Sequence, residues 1–222
     1  CAVLIEQIAM EARKSEFVDQ KSGVSARLTI SAYENLVSTA ELRALNAGSE
    51  RTMVRIADFL GVVPSITGKI ELVYEGEQEG PLNVAHRLLG LAIRATFGLY
   101  FPDPQSFKKG RDAQKAKTKA SPYQPVIDWF GNGNDLMLLQ HETDEDYLAH
   151  LYRVDGLYAA VKQFYPNADK MQAGLLMEFL LHGLSEFSLI SKKGVEKGGF
   201  AFGDMLGSML NMSLGDEEDE EL

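Results

Sequence analysis

Within the most apolar stretch of the chain, Glu178, His182 and Ser185 recur at i, i+4 and i+7, on one face of a helix. A carboxylate one turn from an imidazole is the pairing of general acid–base chemistry, in which the acid orients the ring. The plainer reading of the same spacing is a polar stripe on a buried helix meeting a neighbouring helix. A second candidate is the run Gly23-Val24-Ser25-Ala26-Arg27, where a polar turn leads into an apolar-periodic segment and Ser25 can cap it. A third is the basic run Lys108-Lys109-Gly110-Arg111 continuing through Lys115, Lys117 and Lys119. It reads as a solvated linker or as a site for an anionic partner.

The familiar catalytic constellations are missing. The chain has no GxxxxGK[ST] phosphate loop, no GxGxxG turn, no HExxH and no GxSxG elbow. His86, His141, His150 and His182 do not pair at ligand spacing, and the one cysteine, Cys1, rules out both an internal disulfide and a cysteine-based metal site. Neither catalytic nor metal-ligating residues are expected, and the chain alone is not expected to be an enzyme. Its net charge of -10 repels phosphate backbones, which argues against nucleic acid as a partner. Reduced cysteine and the lack of a signal peptide fit the cytoplasm. The stretch from Met171 to Ile190 is long enough for a membrane span, but Glu178 and Glu186 would each cost roughly 2.5 kcal/mol or more in lipid. It is expected to be a buried core helix, and no membrane association is expected. The first residue is Cys1 rather than methionine, and the residues after it already read as helix, so the chain is expected to be part of a larger protein.

The elements that must position these residues are helical. Ala2 to Val18 carries Leu4, Ile5, Ile8, Ala9 and Ala12 at helical spacing. A second helix, from Ser25 to about Leu45, is expected to bury Ile30, Tyr33, Leu36, Val37 and Ala40, and Asn46-Ala47-Gly48 should end it. A third element covers about Val54 to Leu60, and Glu75 to Pro81 reads as a polar joint. A fourth helix spans Leu82 to about Phe97. Beyond Tyr123 come a short apolar helix through Trp129, a helix opened by the capping pattern Thr143-Asp144-Glu145-Asp146, a helix over Leu157 to Tyr165, and a long helix capped by Asn167 and ended near Lys192-Lys193-Gly194. A last short helix is expected over Phe202 to Met212. The predicted fold class is therefore all-α: a helical bundle over residues 1–100, a basic flexible linker over 101–122, a second helical bundle over 123–212 and an acidic disordered tail over 213–222.

The Gly23-Val24-Ser25-Ala26-Arg27 turn resembles the second-sensor motif of AAA+ ATPases of the MoxR and magnesium-chelatase branch. There a Gly-x-Ser-Pro-Arg turn opens a lid helix and presents its arginine to ATP. The chemistry suits the spot, since a helix N-terminus carries about half a positive charge and a guanidinium in its first turn adds a rigid fork of donors. Together they favour a γ-phosphate. The segment Val54-Arg55-Ile56-Ala57-Asp58-Phe59-Leu60, then Val63-Pro64 and Gly68-Lys69-Ile70, is similar to the next part of that lid. The resemblance covers roughly residues 1–75, and beyond that the chain is similar only to a narrower bacterial, magnesium-chelatase-like subgroup. Ala26 stands where the family has proline.

The resemblance implies a parent ATPase whose phosphate loop and other core motifs lie upstream of Cys1. ATP and Mg2+ would serve that parent and not this chain alone. Arg27 would sense nucleotide, with Gly23 and Ser25 shaping its turn. The partners implied are the upstream core, neighbouring subunits of a ring and a protein client. The competing expectation is a stand-alone helical interaction module, an adaptor or regulator without nucleotide chemistry. An ordinary helix-start arginine bonded to a nearby carboxylate is the alternative for Arg27.

Overall fold

The computed structural model describes residues 1–22, 24–107, 121–195 and 198–205. The chain forms two compact units, one of residues 1–100 with 140–143, the other of the remainder. The whole basic run from Lys108 to Lys119 and all of the acidic tail lie outside the described residues, as do Gly23 and residues 206–212 of the expected last helix.

The first unit is helical. Helix α1 (Ala2–Lys14) buries Leu4, Ile5, Ile8, Ala9 and Ala12 and packs along α5 (Pro81–Phe97), which buries Val84, Ala85, Leu88, Leu89, Ala92, Ile93 and Phe97. Between them come α2 (Arg27–Asn46), a 3-10 turn (Ala57–Val62), α3 (Val63–Thr67) and α4 (Tyr74–Glu79). The joint expected over Glu75 to Pro81 is thus mostly helix. Glu75 and Glu77 sit in the first turn of α4, where carboxylates complement the helix dipole. Gly80 ends it at φ 93, a backbone that favours glycine, and Pro81 then opens α5.

The buried face of α2 differs from the expected one. Leu28, Ala32, Leu36, Ala40, Arg43 and Ala44 are buried, whereas Ile30 is 59% and Tyr33 52% exposed. The two stripes share Leu36 and Ala40. What decides between them is that α2 packs closely on the 3-10 turn and α3, and the small alanines admit that approach.

The second unit is not purely helical, which corrects the all-α expectation to a predominantly helical fold with a small antiparallel sheet. Its helices are α6 (Gln124–Gly131), α7 (Asp144–Tyr152), α8 (Leu157–Phe164) and α9 (Lys170–Glu186). Strands β1 (Leu136–Leu139), β2 (Ser191–Gly194) and β3 (Gly199–Gly203) pair in the order β1-β3-β2. Phe202 lies opposite Leu136 on one side and Lys192 on the other. Phe202, expected to start a helix, is a strand residue because Phe200 and Phe202 alternate inward with Leu136 and Leu138, the two-residue period of a sheet with one buried face. Gly199 adopts φ 136 against the Leu138 carbonyl, a close approach that a side chain would block.

Helix α9 stops at Glu186, short of the expected Lys192-Lys193-Gly194 end. Ser188 turns left-handed at φ 56, and the lysines enter β2. Its cap is Asp169 rather than Asn167. The Asp169 carboxylate accepts from the Gln172 amide at 2.8 Å, and the Asp169 amide donates to Gln172 Oε1 at 3.2 Å. Residues Met177 to Leu184 of α9 are all buried. No helix among the described residues is long and apolar enough to cross a membrane. Phe101, at the start of the expected linker, is buried and packs edge-on against Phe164 and Tyr165.

Candidate functional site

The turn before α2 is built by short local bonds. Val18 and Leu72 form an isolated antiparallel bridge, and the Asp19 amide donates to the Glu71 carbonyl at 2.8 Å. The Lys21 amide and the Ser22 hydroxyl donate to the Asp19 carboxylate, and these bonds hold its pKa below the usual carboxylate value. The Ser22 hydroxyl also reaches the Glu71 carboxylate. Arg13 of α1 donates to the Val24 carbonyl at 3.4 Å. Asp19 and Ser22 are thereby tied to the strand-like segment before α4, and Val24 to the end of α1.

Ser25 starts the helix. Its hydroxyl accepts from the Arg27 amide at 3.2 Å, and its carbonyl accepts from the Leu28 amide at 2.9 Å. Ala26 has φ -57, within the range a proline ring imposes, so alanine keeps the backbone that the family's proline would fix. Arg27 is the first residue of α2 and is exposed, whereas Leu28 beside it is buried. Among the described residues the Arg27 guanidinium makes no hydrogen bond or ion pair. The first turn of α2 carries no acidic residue, so the positive end of the helix dipole is not offset by its own side chains. Arg13, in the last turn of α1, adds positive charge beside the Val24 carbonyl, whereas Lys14 is paired with Glu11 at 3.5 Å. Chemically this is an exposed, cationic helix start. Gly23, the remaining predicted site residue, is outside the described set.

The Glu178–His182 pair belongs to the second unit and is sealed. His182 Nε2 lies 3.9 Å from Glu178 Oε1, with both side chains almost wholly buried. The ring meets Phe200 at 4.6 Å and Phe202 at 5.1 Å between centroids, edge-on to both. His182 of the stripe therefore meets strand β3. Burial, and then the Lys192 ammonium, push the imidazole well below its usual pKa, so the ring is neutral near pH 7. A neutral imidazole under two phenylalanines has no path to a substrate, and the pair is part of the core.

Sequence reasoning gave no role to three charged residues that the fold buries. The Arg43 fork grips Asp58 through Nε at 3.0 Å and Nη2 at 2.8 Å. Its remaining donors reach Thr52 Oγ1 at 2.7 Å and the Met53 carbonyl at 2.6 Å. Asp58 also accepts from the Arg55 amide at 2.8 Å, and the Arg55 side chain donates to the Glu142 carbonyl at 3.0 Å. The one signal in the sequence is the presence of Arg55 and Asp58 inside an otherwise apolar stretch, Val54 to Leu60.

Among the described residues no group of three or more His, Cys, Asp and Glu could hold a metal ion. The second unit has an open groove of about 560 Å³ at the turn between α8 and α9, walled by Phe164, Tyr165, Leu175 and Leu176. No family model, curated protein or solved structure matches the chain.

Proposed function

We propose that the first unit is the nucleotide-sensing lid of a magnesium-chelatase-like AAA+ ATPase, that Arg27 is its sensing residue, and that the second unit serves subunit assembly or the remodelling of a protein client. The observation that supports this reading is the exposed Arg27 guanidinium at the first position of a 20-residue helix whose first turn lacks any acid. That arrangement suits a terminal phosphate: the dipole and the guanidinium act in the same direction, and no internal carboxylate among the described residues competes for the arginine. ATP with Mg2+ would supply the phosphoryl chemistry in the intact protein. This chain's contribution is a charge held on a helix whose tilt follows the nucleotide. Ser25 fixes the start of that helix, and Leu28 anchors it to the core.

The test is Arg27→Ala in the intact ATPase. Loss of one transition-state charge contact should lower ATP turnover on the order of a hundredfold. Unchanged turnover would defeat the assignment.

A second reading has its own support. Ile30 and Tyr33 expose apolar surface one and two turns beyond Arg27, as an interaction module without nucleotide chemistry would. Ile30→Ser with Tyr33→Ser separates the two readings. Under the lid reading these changes alter assembly and leave nucleotide affinity in the monomer intact. Under the module reading nucleotide has no effect on any variant.

A further inference from the structure

Three buried charged residues of the first unit, Arg43, Asp58 and Arg55, form one continuous line. It begins on α2 at Arg43, passes to Asp58, enters the backbone at Arg55 and leaves through the Arg55 side chain to the Glu142 carbonyl. Arg43, Asp58 and Arg55 are 4%, 0% and 2% exposed. Glu142 is distant in sequence: residues 140–143 are a short strap that packs in the first unit. Its two ends continue directly into β1 (Leu136–Leu139) and α7 (Asp144–Tyr152) of the second unit.

The line has little slack. Both Asp58 oxygens are held, one by Arg43 and the other by Arg43 and the Arg55 amide together. Buried charges of this kind cannot separate without leaving one of them uncompensated, so the group moves as a body. Arg43 lies sixteen residues along α2 from Arg27, about 24 Å of rigid helix at ~1.5 Å per residue. A tilt of the helix at Arg27 therefore displaces the Arg43 fork, and the fork displaces Asp58 and residue 55.

We propose that the strap at residues 140–143, held by Arg55, is the element through which the state of α2 reaches the second unit. The relay is Arg43–Asp58–Arg55–Glu142, with Arg55 as a positioning residue. The direction of signalling, from nucleotide to the second unit, rests on the lid function proposed above. The relay itself rests on the contacts alone.

Hydrogen–deuterium exchange tests both parts. In the 222-residue chain, Arg55→Met should speed exchange at residues 136–139 and 144–152 at least tenfold, with α1 and α8 unchanged. Arg55→Lys, which keeps the charge and loses the fork, should give a smaller local effect and serves if the methionine variant does not fold. In the intact ATPase, ATP with Mg2+ should change exchange at residues 27–46 and at 136–152. Arg55→Met should preserve the first response and abolish the second. The proposal is overturned if the second response survives in Arg55→Met, or if exchange rises equally throughout both units. If residues 27–46 ignore nucleotide while Arg55→Met still loosens 136–152 locally, the relay stands and the lid function falls.

Discussion

His182 Nε2 and Glu178 Oε1 lie 3.9 Å apart on successive turns of α9, both sealed from solvent, with Phe200 and Phe202 closing over the imidazole. The folded ring resists protonation, whereas the unfolded one titrates near 6.5.

The sign of the pH dependence follows. Between 6.5 and the much lower folded pKa, the unfolded chain binds a proton that the folded chain does not. Stability is therefore fully present above 6.5 and falls as pH drops through this window, by up to ~1.4 kcal/mol per pH unit. Urea unfolding at pH 7.5, 6.5 and 5.5 should show the loss, and His182→Phe should flatten it. A slope that persists in His182→Phe would assign it to other groups. Asp19, held ionised by its hydrogen bonds, acts only at lower pH: its contribution is lost as pH falls below 3.8.

The α9 core was legible in the sequence because seventeen residues of mostly apolar character have few other places to go. The sheet was not. Its strands are four or five residues long, and Lys192-Lys193-Gly194 reads equally well as a helix end, since basic residues followed by glycine suit both. The face of α2 was misread for a related reason: large residues at i, i+3 drew the stripe, while alanines set the true contact. The exposed Arg27 was legible from its turn. The roles of Arg43 and Arg55 were not, because a charged residue reads as surface until its partners are known.

Arg27 and Leu28 are neighbours with opposite environments, and their alanine variants should separate cleanly. Arg27→Ala in this chain should change unfolding free energy by no more than about 0.5 kcal/mol, as at other exposed sites. Leu28→Ala removes a fully buried side chain and should cost about 2–5 kcal/mol. Chemical denaturation of the two variants measures both, and a large loss in Arg27→Ala would make that arginine structural.

Ala26 offers the reverse kind of change. Its φ of -57 already matches proline, so Ala26→Pro restricts the unfolded chain and leaves the folded backbone in place. The expected gain is about 0.4–1 kcal/mol, read as a higher denaturation midpoint at unchanged slope. A loss would mean that the turn before α2 needs the Ala26 amide or a backbone at Ser25 that proline forbids.

The Arg43–Asp58 pair should prove costly to break and cheap to replace. Asp58→Asn leaves a buried guanidinium facing a neutral amide, and Arg43→Met leaves a buried carboxylate with only the Arg55 amide and its neighbours to hold it. Removing one partner of a buried pair typically costs about 3–5 kcal/mol, much of it the penalty of the charge left behind. The double variant, Arg43→Met with Asp58→Asn, removes both charges and should recover part of that loss, giving a coupling energy of about 1–3 kcal/mol in a double-mutant cycle. Thr52 and the Met53 carbonyl would still lose a donor, so recovery should be incomplete. If the losses simply add, Arg43 and Asp58 act independently, and the bidentate geometry at 3.0 and 2.8 Å contributes nothing that each residue does not contribute alone.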